Sequence, residues 1–377
     1  MALWPTRDVN VRAWSPPGPG SRTLDALLSA LSWLTTPRTP GDYLTLWDPL
    51  WDTGRPAGRV TGVRGEGRDA ATLTIRPGRG HLPHRAGQFL PVGVEIDGVR
   101  HWRTYSITSP AGPRTRDVTI TVKEATGGLV SPHLVHRTPP GTVLRIGPPQ
   151  GAFTLPEPWP ERILFLTAGS GITPVVGMLR TLRASGRPAT RVTLLHSAPT
   201  PEECLFRAEL DQLADRCPWL DVRLRFTRTD GRFTRHDLAD ACPDWADRSA
   251  WVCGPPGLLA VAEEQWSTAG VRELLHVERF RPTPLLRPVP GMLGGLVRFA
   301  RSGVETHSPA ASPLLLTGEA AGVGMPYGCR AGICHGCLVP LLEGRVRDLR
   351  TGRLHGEPGR PVQTCVNGAA GPVVLDL

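Results

Sequence analysis

The segment "RILFLTAGSGITPVVGMLRTLRASG", residues 162–186, decides how the middle of the chain is built. It runs as an apolar strand, a Gly-rich turn and a helix. The alternation then repeats: "RVTLLHSA" is a second strand, "PEECLFRAELDQLADRC" a second helix, and "DVRLRFTR" and "SAWVCGPP" are further strands. Strand alternating with helix predicts a parallel, doubly wound α/β sheet over residues 158–282. Upstream, over 54–157, the character differs. Short alternating segments such as "ATLTIRP", "DVTITVKE" and "GTVLRIGPP" are separated by Gly, Pro and Asp turns, which predicts an antiparallel β-barrel. Downstream, the Pro-rich stretch "RPTPLLRPVPGM" supplies a stiff linker, assigned to 283–292. A third unit, 293–377, ends in the strand-like "PVVLDL".

The chain has 377 residues, enough for two or three domains with their own cores, and 40% of them are apolar. Residues 1–53 divide into a Pro-, Gly- and Arg-rich arm, 1–22, and an amphipathic helix. Leu24, Leu27, Leu28, Leu31 and Leu34 share one face of that helix, and Thr36, Pro37 and Pro40 end it. It is read as packed on its own protein, because its polar face lacks the Lys/Arg enrichment of interfacial helices. Peripheral contact with a membrane or a partner is the alternative. No run of 18 apolar residues could span a bilayer, and the start lacks the apolar core of a signal peptide. Eight cysteines without an export signal argue for a reducing, cytoplasmic setting and against a disulfide framework. Net charge is +9, almost all from scattered arginine, since Lys123 is the one lysine. No basic run with interleaved aromatics marks a nucleic-acid surface.

In the third unit, "PYGCRAGICHGC" places Cys329, Cys334 and Cys337 at C-x4-C-x2-C, and Cys365 follows after 27 residues. Zinc sites ordinarily use two C-x-x-C pairs, or one pair with spaced histidines, and neither is present. The observed spacing is that of a plant-type [2Fe-2S] ligand set. Gly328, Ala331, Gly332 and Gly336 leave room for backbone N–H groups to approach the sulfurs. His335 is read as a surface residue, and Cys204, Cys217 and Cys242 as buried or partly buried thiols.

"RTYSITS", residues 103–109, has the form R-x-Y-S-x-x-S, and here the chain resembles the ferredoxin–NADP reductase superfamily. The resemblance implies that Arg103 holds a flavin phosphate, Tyr105 stacks on the isoalloxazine and Ser106 hydrogen-bonds near N5. It also implies that Val122, Gly128 and Ser131 contact the flavin, with Ser131 and Pro132 opening a helix toward the pyrophosphate, which favours FAD over FMN. "TAGSGITP" departs from G-x-G-x-x-G by placing Pro174 third, the usual form in this superfamily. Gly169, Gly171, Thr173 and Pro174 would then bind the dinucleotide. "CGPP" sets Cys253 against the nicotinamide, with Gly254 and Pro255 beside it, and "VERF" puts Glu278 and Phe280 near the flavin. Tyr105, Ser106, Cys253 and Glu278 form the expected catalytic group.

NADPH is favoured over NADH on the residues after the second and third strands. The second strand ends at Ser197 with no immediate acid, since Glu202 and Glu203 read as the first turn of a helix. The third ends at Thr227 and Arg228, with Arg232 close behind, which suits a 2′-phosphate. The domain order over 54–377, closing with an α+β, β-grasp ferredoxin domain, resembles oxygenase and desaturase reductases. The lead-in "TPGDYLTLWDPLW" resembles NADPH-dependent reductases of acyl-CoA desaturases and related di-iron hydroxylases. The implied function is electron transfer from NADPH through FAD and a [2Fe-2S] cluster to a terminal oxygenase, desaturase or hydroxylase. Rival readings are the NADH- or NADPH-dependent reductase of an aromatic-ring dioxygenase or cytochrome P450, and a zinc-stabilised binding module with a degenerate reductase fold.

Overall fold

The computed structural model describes residues 40–52, 56–112, 116–186, 190–280, 292–328, 330, 332 and 336–377. The expected helix at Leu24–Leu34, Cys329, Cys334, His335 and all of the expected linker except Met292 lie outside the described residues.

Six strands build the first sheet: β1 (Ala57–Gly65), β2 (Ala70–Pro77), β3 (Phe89–Ile96), β4 (Val99–Ser106), β5 (Val118–Lys123) and β6 (Val143–Ile146), in the antiparallel order β4-β3-β6-β1-β2-β5. The two edges meet where β4 runs on past Ser106. Ile107 bridges Ile120, and Thr108 N donates to Thr119 O at 2.8 Å, which closes the sheet into a barrel. Val, Ile and Thr suit the pleated wall. Leu73, Ile75, Leu90, Val92, Ile120 and Ile146 fill the interior, and Val130 and Leu134 of the helix Val130–His136 plug it.

The second sheet is wholly parallel: β7 (Arg162–Ala168), β8 (Arg191–Ala198), β9 (Leu220–Phe226), β10 (Ser249–Cys253) and β11 (Leu275–Glu278), in the order β11-β10-β7-β8-β9. Strand order reverses between β7 and β10, and ligands of open α/β sheets bind beyond the strand C-termini at such a switch point. Helix Ile172–Ala184 follows β7 and is the joint to the barrel. A Cβ on Gly177 would lie 2.5 Å from the Ile107 carbonyl oxygen, so only glycine allows this approach. One turn on, Arg180 donates to Thr108 O at 2.7 Å and to both Glu209 carboxylate oxygens at 2.7 and 2.6 Å.

The third sheet is mixed. β12 (Gly295–Phe299), β13 (Val304–Ser308), β14 (Leu338–Asp348), β15 (Leu354–His355) and β17 (Asn367–Leu375) lie in the order β13-β12-β17-β14-β15, and β16 (Pro361–Gln363) pairs β14. β12 and β17 are parallel and the other pairs antiparallel. Leu314 and Leu315 of helix Leu314–Ala320 join Val297, Phe299, Leu341 and Leu375 in one core, the β-grasp arrangement.

Residues 40–52 are docked on the barrel. Helix Pro40–Trp47 leads to a turn in which Asp48 accepts from Arg59 at 3.0 Å and Asp52 from Arg145 at 3.2 Å. The Arg79 guanidinium stacks 4.6 Å from the Trp51 ring centre. Among the described residues no helix is long and apolar enough to cross a membrane.

Candidate active site

A cavity of about 400 Å³ opens at the seam between barrel and parallel sheet. β4 contributes Arg103, Tyr105 and Ser106, β5 contributes Thr121 and Lys123, the turn after it contributes Gly128, and the first turn of helix Val130–His136 contributes Ser131. From the nucleotide side come Ser170 and Thr173, at the turn into helix Ile172–Ala184, and Glu278, Arg279 and Phe280 at the end of β11. The topology explains the meeting: barrel closure ends at β4, and the switch-point edge faces it.

Two buried polar atoms in this cavity have no hydrogen-bond partner, Ser106 Oγ and Glu278 Oε2. Buried polar atoms are nearly always paired, so two orphans facing one cavity mark the place of a ligand. Burial pushes the Glu278 carboxyl up to about 8, which leaves it mainly protonated at neutral pH. Burial also raises the Tyr105 hydroxyl, and the Arg103 charge opposes this only in part. Arg103 itself donates to Trp102 O at 2.7 Å. A guanidinium, small hydroxyls, an aromatic ring and a neutral carboxyl suit a flavin: phosphate for the fork, a flat ring for the tyrosine, ring N and O atoms for the rest.

Other predicted residues sit outside this cavity. The Val122 side chain belongs to the barrel core, while its strand neighbours Thr121 and Lys123 line the cavity. Strict alternation in "VTITVK" would have singled those two out. Behind them, Thr121 Oγ1 lies 2.7 Å from Thr72 Oγ1, which donates to buried Glu66 at 2.9 Å. Cys253 is fully buried, opposite Glu278 in the β10–β11 register. Burial first, then the Glu278 charge, raises its thiol.

At the switch point, Gly169 adopts φ +55° with open space beside it, as an approaching pyrophosphate requires. Gly171 has a packing role that its sequence does not suggest. A Cβ there would collide with the Cys253 carbonyl oxygen, so this glycine lets the β7 and β10 loops pack against each other. Gly254, Pro255 and Pro174 belong to the same packed corner: Gly254 abuts Ala168, Pro255 caps helix Pro256–Thr268, and Pro174 is buried in the first turn of its helix. Below it, Thr167 Oγ1 and His196 Nδ1 are 2.8 Å apart, and burial lowers the imidazole to about 4.

Ser197 is buried near the end of β8. Arg228 lies just beyond β9, its side chain 70% exposed, and its backbone N–H donates to Pro199 O at 3.1 Å, joining the two strand ends. Its guanidinium pairs with Glu203 at 3.1 Å. This pairing is a tertiary contact that spacing along the chain does not reveal.

In the third domain Cys337 and Cys365 are buried with their sulfurs 3.2 Å apart, and Gly332 N donates to Cys365 Sγ at 3.3 Å. Converging thiols with a backbone amide aimed at sulfur fit an iron–sulfur cluster. Among the described residues no group of three or more His, Cys, Asp and Glu gathers, because Cys329 and Cys334 fall outside them. Cys204, Cys217 and Cys242 are buried. Burial raises the Cys204 and Cys242 thiols to about 11, which keeps them inert.

Comparison with known proteins matches three successive families: an oxidoreductase FAD-binding domain over residues 67–155, an oxidoreductase NAD-binding domain over 165–264 and a 2Fe-2S iron-sulfur cluster binding domain over 297–366. The chain is 48% identical to an NADPH oxidoreductase of Mycobacterium tuberculosis, across 93% of this chain and 92% of that protein. It is 29% identical to the reductase subunit of a stachydrine N-demethylase from Rhizobium meliloti, across 82% and 92%. Among solved structures, phthalate dioxygenase reductase superposes with a TM-score of 0.58 at 25% identity, covering 85% of this chain and 97% of that one.

Proposed function

The chain belongs to the ferredoxin–NADP reductase superfamily, in the form that carries a C-terminal 2Fe-2S domain, and from that premise we propose that it takes electrons from NADPH and delivers them to a terminal oxygenase. It is an NAD(P)H-dependent electron-transfer reductase with FAD and a [2Fe-2S] cluster. The observation that carries the proposal is that Ser106 Oγ and Glu278 Oε2, both buried and without a hydrogen-bond partner, line one cavity between the barrel and the C-terminal ends of the parallel strands.

Bound FAD would supply the exchange between two-electron hydride chemistry and the single-electron chemistry of the cluster. The chain's own residues bind and orient. Arg103 and Ser131 hold phosphate, Tyr105 covers the ring, and Ser106 Oγ offers a hydrogen bond to the reacting edge. Glu278 keeps a proton on its carboxyl at neutral pH and can donate it into the cavity. Gly169, Ser170 and Thr173 receive the pyrophosphate. Ser197 and Arg228 bind the adenosine end, with Arg228 on the 2′-phosphate. Cys253, from beneath, shapes the floor on which the nicotinamide rests. Cys329, Cys334, Cys337 and Cys365 hold the cluster.

The NADPH preference draws on the NADPH-named relative at 48% identity and on Arg228. For the acceptor, the segment "TPGDYLTLWDPLW" favours a fatty acyl desaturase or hydroxylase. Likeness to phthalate dioxygenase reductase favours an aromatic-ring oxygenase, and a cytochrome P450 belongs to the same alternative. The test is Cys365→Ser in the full chain. We expect FAD retained, ferricyanide reduction by NADPH kept, cytochrome c reduction lost and no cluster signal in EPR after dithionite. A persisting signal would refute the ligand set. Reconstitution with a desaturase and with a ring-hydroxylating oxygenase separates the two acceptor readings.

A further inference from the structure

Resting on the reading of Cys337 and Cys365 as cluster ligands, we propose that Arg350, braced by Asp348, sets the reduction potential of the [2Fe-2S] cluster. Arg350 sits in the turn between β14 and β15, far from the cysteine loop in sequence. Asp348 grips it three times: Oδ1 accepts from the Arg350 backbone N–H at 2.8 Å and from Nε at 3.1 Å, and Oδ2 accepts from Nη2 at 2.7 Å. The side chain is only 28% exposed. Its remaining arm, Nη1, reaches the Gly332 carbonyl oxygen at 3.5 Å, and Gln363 Nε2 donates to that same oxygen at 3.0 Å. The N–H of Gly332 donates to Cys365 Sγ. The guanidinium therefore stands within one residue's span of a ligand sulfur.

Gly332 makes this approach possible. It adopts φ +71°, and a Cβ there would lie 2.5 Å from Arg350 Nη1 and 2.9 Å from Val366 Cγ1. Asp348, by hydrogen bond and charge, holds the guanidinium above its ordinary value against the opposing effect of burial, so Arg350 stays a cation. A cluster gains one negative charge on reduction, so a cation at this range favours the reduced form, and partial burial limits screening by solvent. Asp348 opposes Arg350, and the cluster feels the difference between the two. Removing Arg350 alone leaves a bare carboxylate, so both changes push the potential down.

The experiment is an EPR-monitored redox titration of the full-length holoprotein. Arg350→Gln should shift the reduced-to-oxidised ratio about tenfold at fixed potential, which is 59 mV lower for one electron. Arg350→Lys should restore most of the shift. Asp348→Asn should move the potential up, and the double variant should return it toward wild type. The flavin potential should stay unchanged in all of them. The proposal is overturned if Arg350→Gln and Asp348→Asn both titrate as wild type. It is equally overturned if Lys and Gln at 350 cause equal shifts with an altered EPR line shape, which would mean a purely structural role. Loss of the cluster from Arg350→Gln would move the decision to Asp348→Asn and Arg350→Lys, which preserve the loop's contacts or its charge. Failure of the ligand reading shows separately, as a wild-type cluster signal that survives Cys365→Ser.

Discussion

The Glu278 carboxyl titrates near 8 in the native protein, against 4.5 for an ordinary one, because burial penalises its charge. Between these values the native state keeps a proton that the unfolded chain has released. The stabilisation contributed by this carboxyl therefore falls as pH rises from about 4.5 to about 8, and is lost above that. Thermal unfolding of the flavin-free protein and of Glu278→Gln, compared at each pH, should show a Tm difference that changes across this window, with wild type losing ground as pH rises. Parallel curves for the two proteins would mean that the carboxyl ionises normally. At the nucleotide end, Arg228 would give a 2′-phosphate a charge-assisted hydrogen bond, worth about 1.5–3 kcal/mol. Arg228→Ala should lower kcat/KM for NADPH by about tenfold or more and leave NADH nearly untouched. Equal losses with both nucleotides would remove Arg228 from 2′-phosphate recognition. Since Glu203 holds the same guanidinium at 3.1 Å, Glu203→Gln should lower KM for NADPH while leaving KM for NADH in place.

Helix Ile172–Ala184 connects two domains through one missing methyl group. Gly177→Ala would drive a Cβ into the Ile107 carbonyl, and overpacking of this kind costs about 1–3 kcal/mol. Calorimetry should show a lower Tm, with barrel and nucleotide domain no longer unfolding together; an unchanged single transition would argue that the joint is plastic. The helix itself was plain in the sequence, because an apolar strand, a glycine turn and a helix follow within 25 residues. The three-part architecture was legible for the same reason: alternation of period two, alternation of strand with helix, and cysteine spacing are local signals. What escaped is tertiary. Gly171 reads as a phosphate glycine, and nothing local reveals that it also accommodates the Cys253 carbonyl, a neighbour 82 residues away in the chain. Val122 belongs to the barrel core, and the pleat turns Thr121 and Lys123 to the cavity instead. The Glu203 partner of Arg228 and the Asp348–Arg350 brace depend on loops whose meeting no periodicity encodes.

At the scale of the molecule, residues 40–52 are a strap on the barrel. Asp48 with Arg59, Asp52 with Arg145 and Trp51 under Arg79 fasten it, and Gly78 admits the Leu50 backbone. Deleting residues through 52 should lower the Tm of the barrel and speed flavin loss during dialysis, while a purified protein that holds FAD as tightly as before would make the strap dispensable. At the other end of the flavoprotein half, the chain leaves β11 through Glu278, Arg279 and Phe280, the same residues that wall the cavity proposed for the flavin. Fourteen residues, 281–294, separate Phe280 from β12. However that stretch is arranged, it cannot exceed about 50 Å when fully drawn out. The tether to the cluster domain is thus rooted at the electron source itself. Flavin and cluster meet at an effective concentration in the millimolar range set by the leash, not by the amount of protein in solution. Transfer between them is a first-order event: stopped-flow traces of cluster reduction should keep one rate constant on dilution, whereas the two halves expressed apart should slow in proportion.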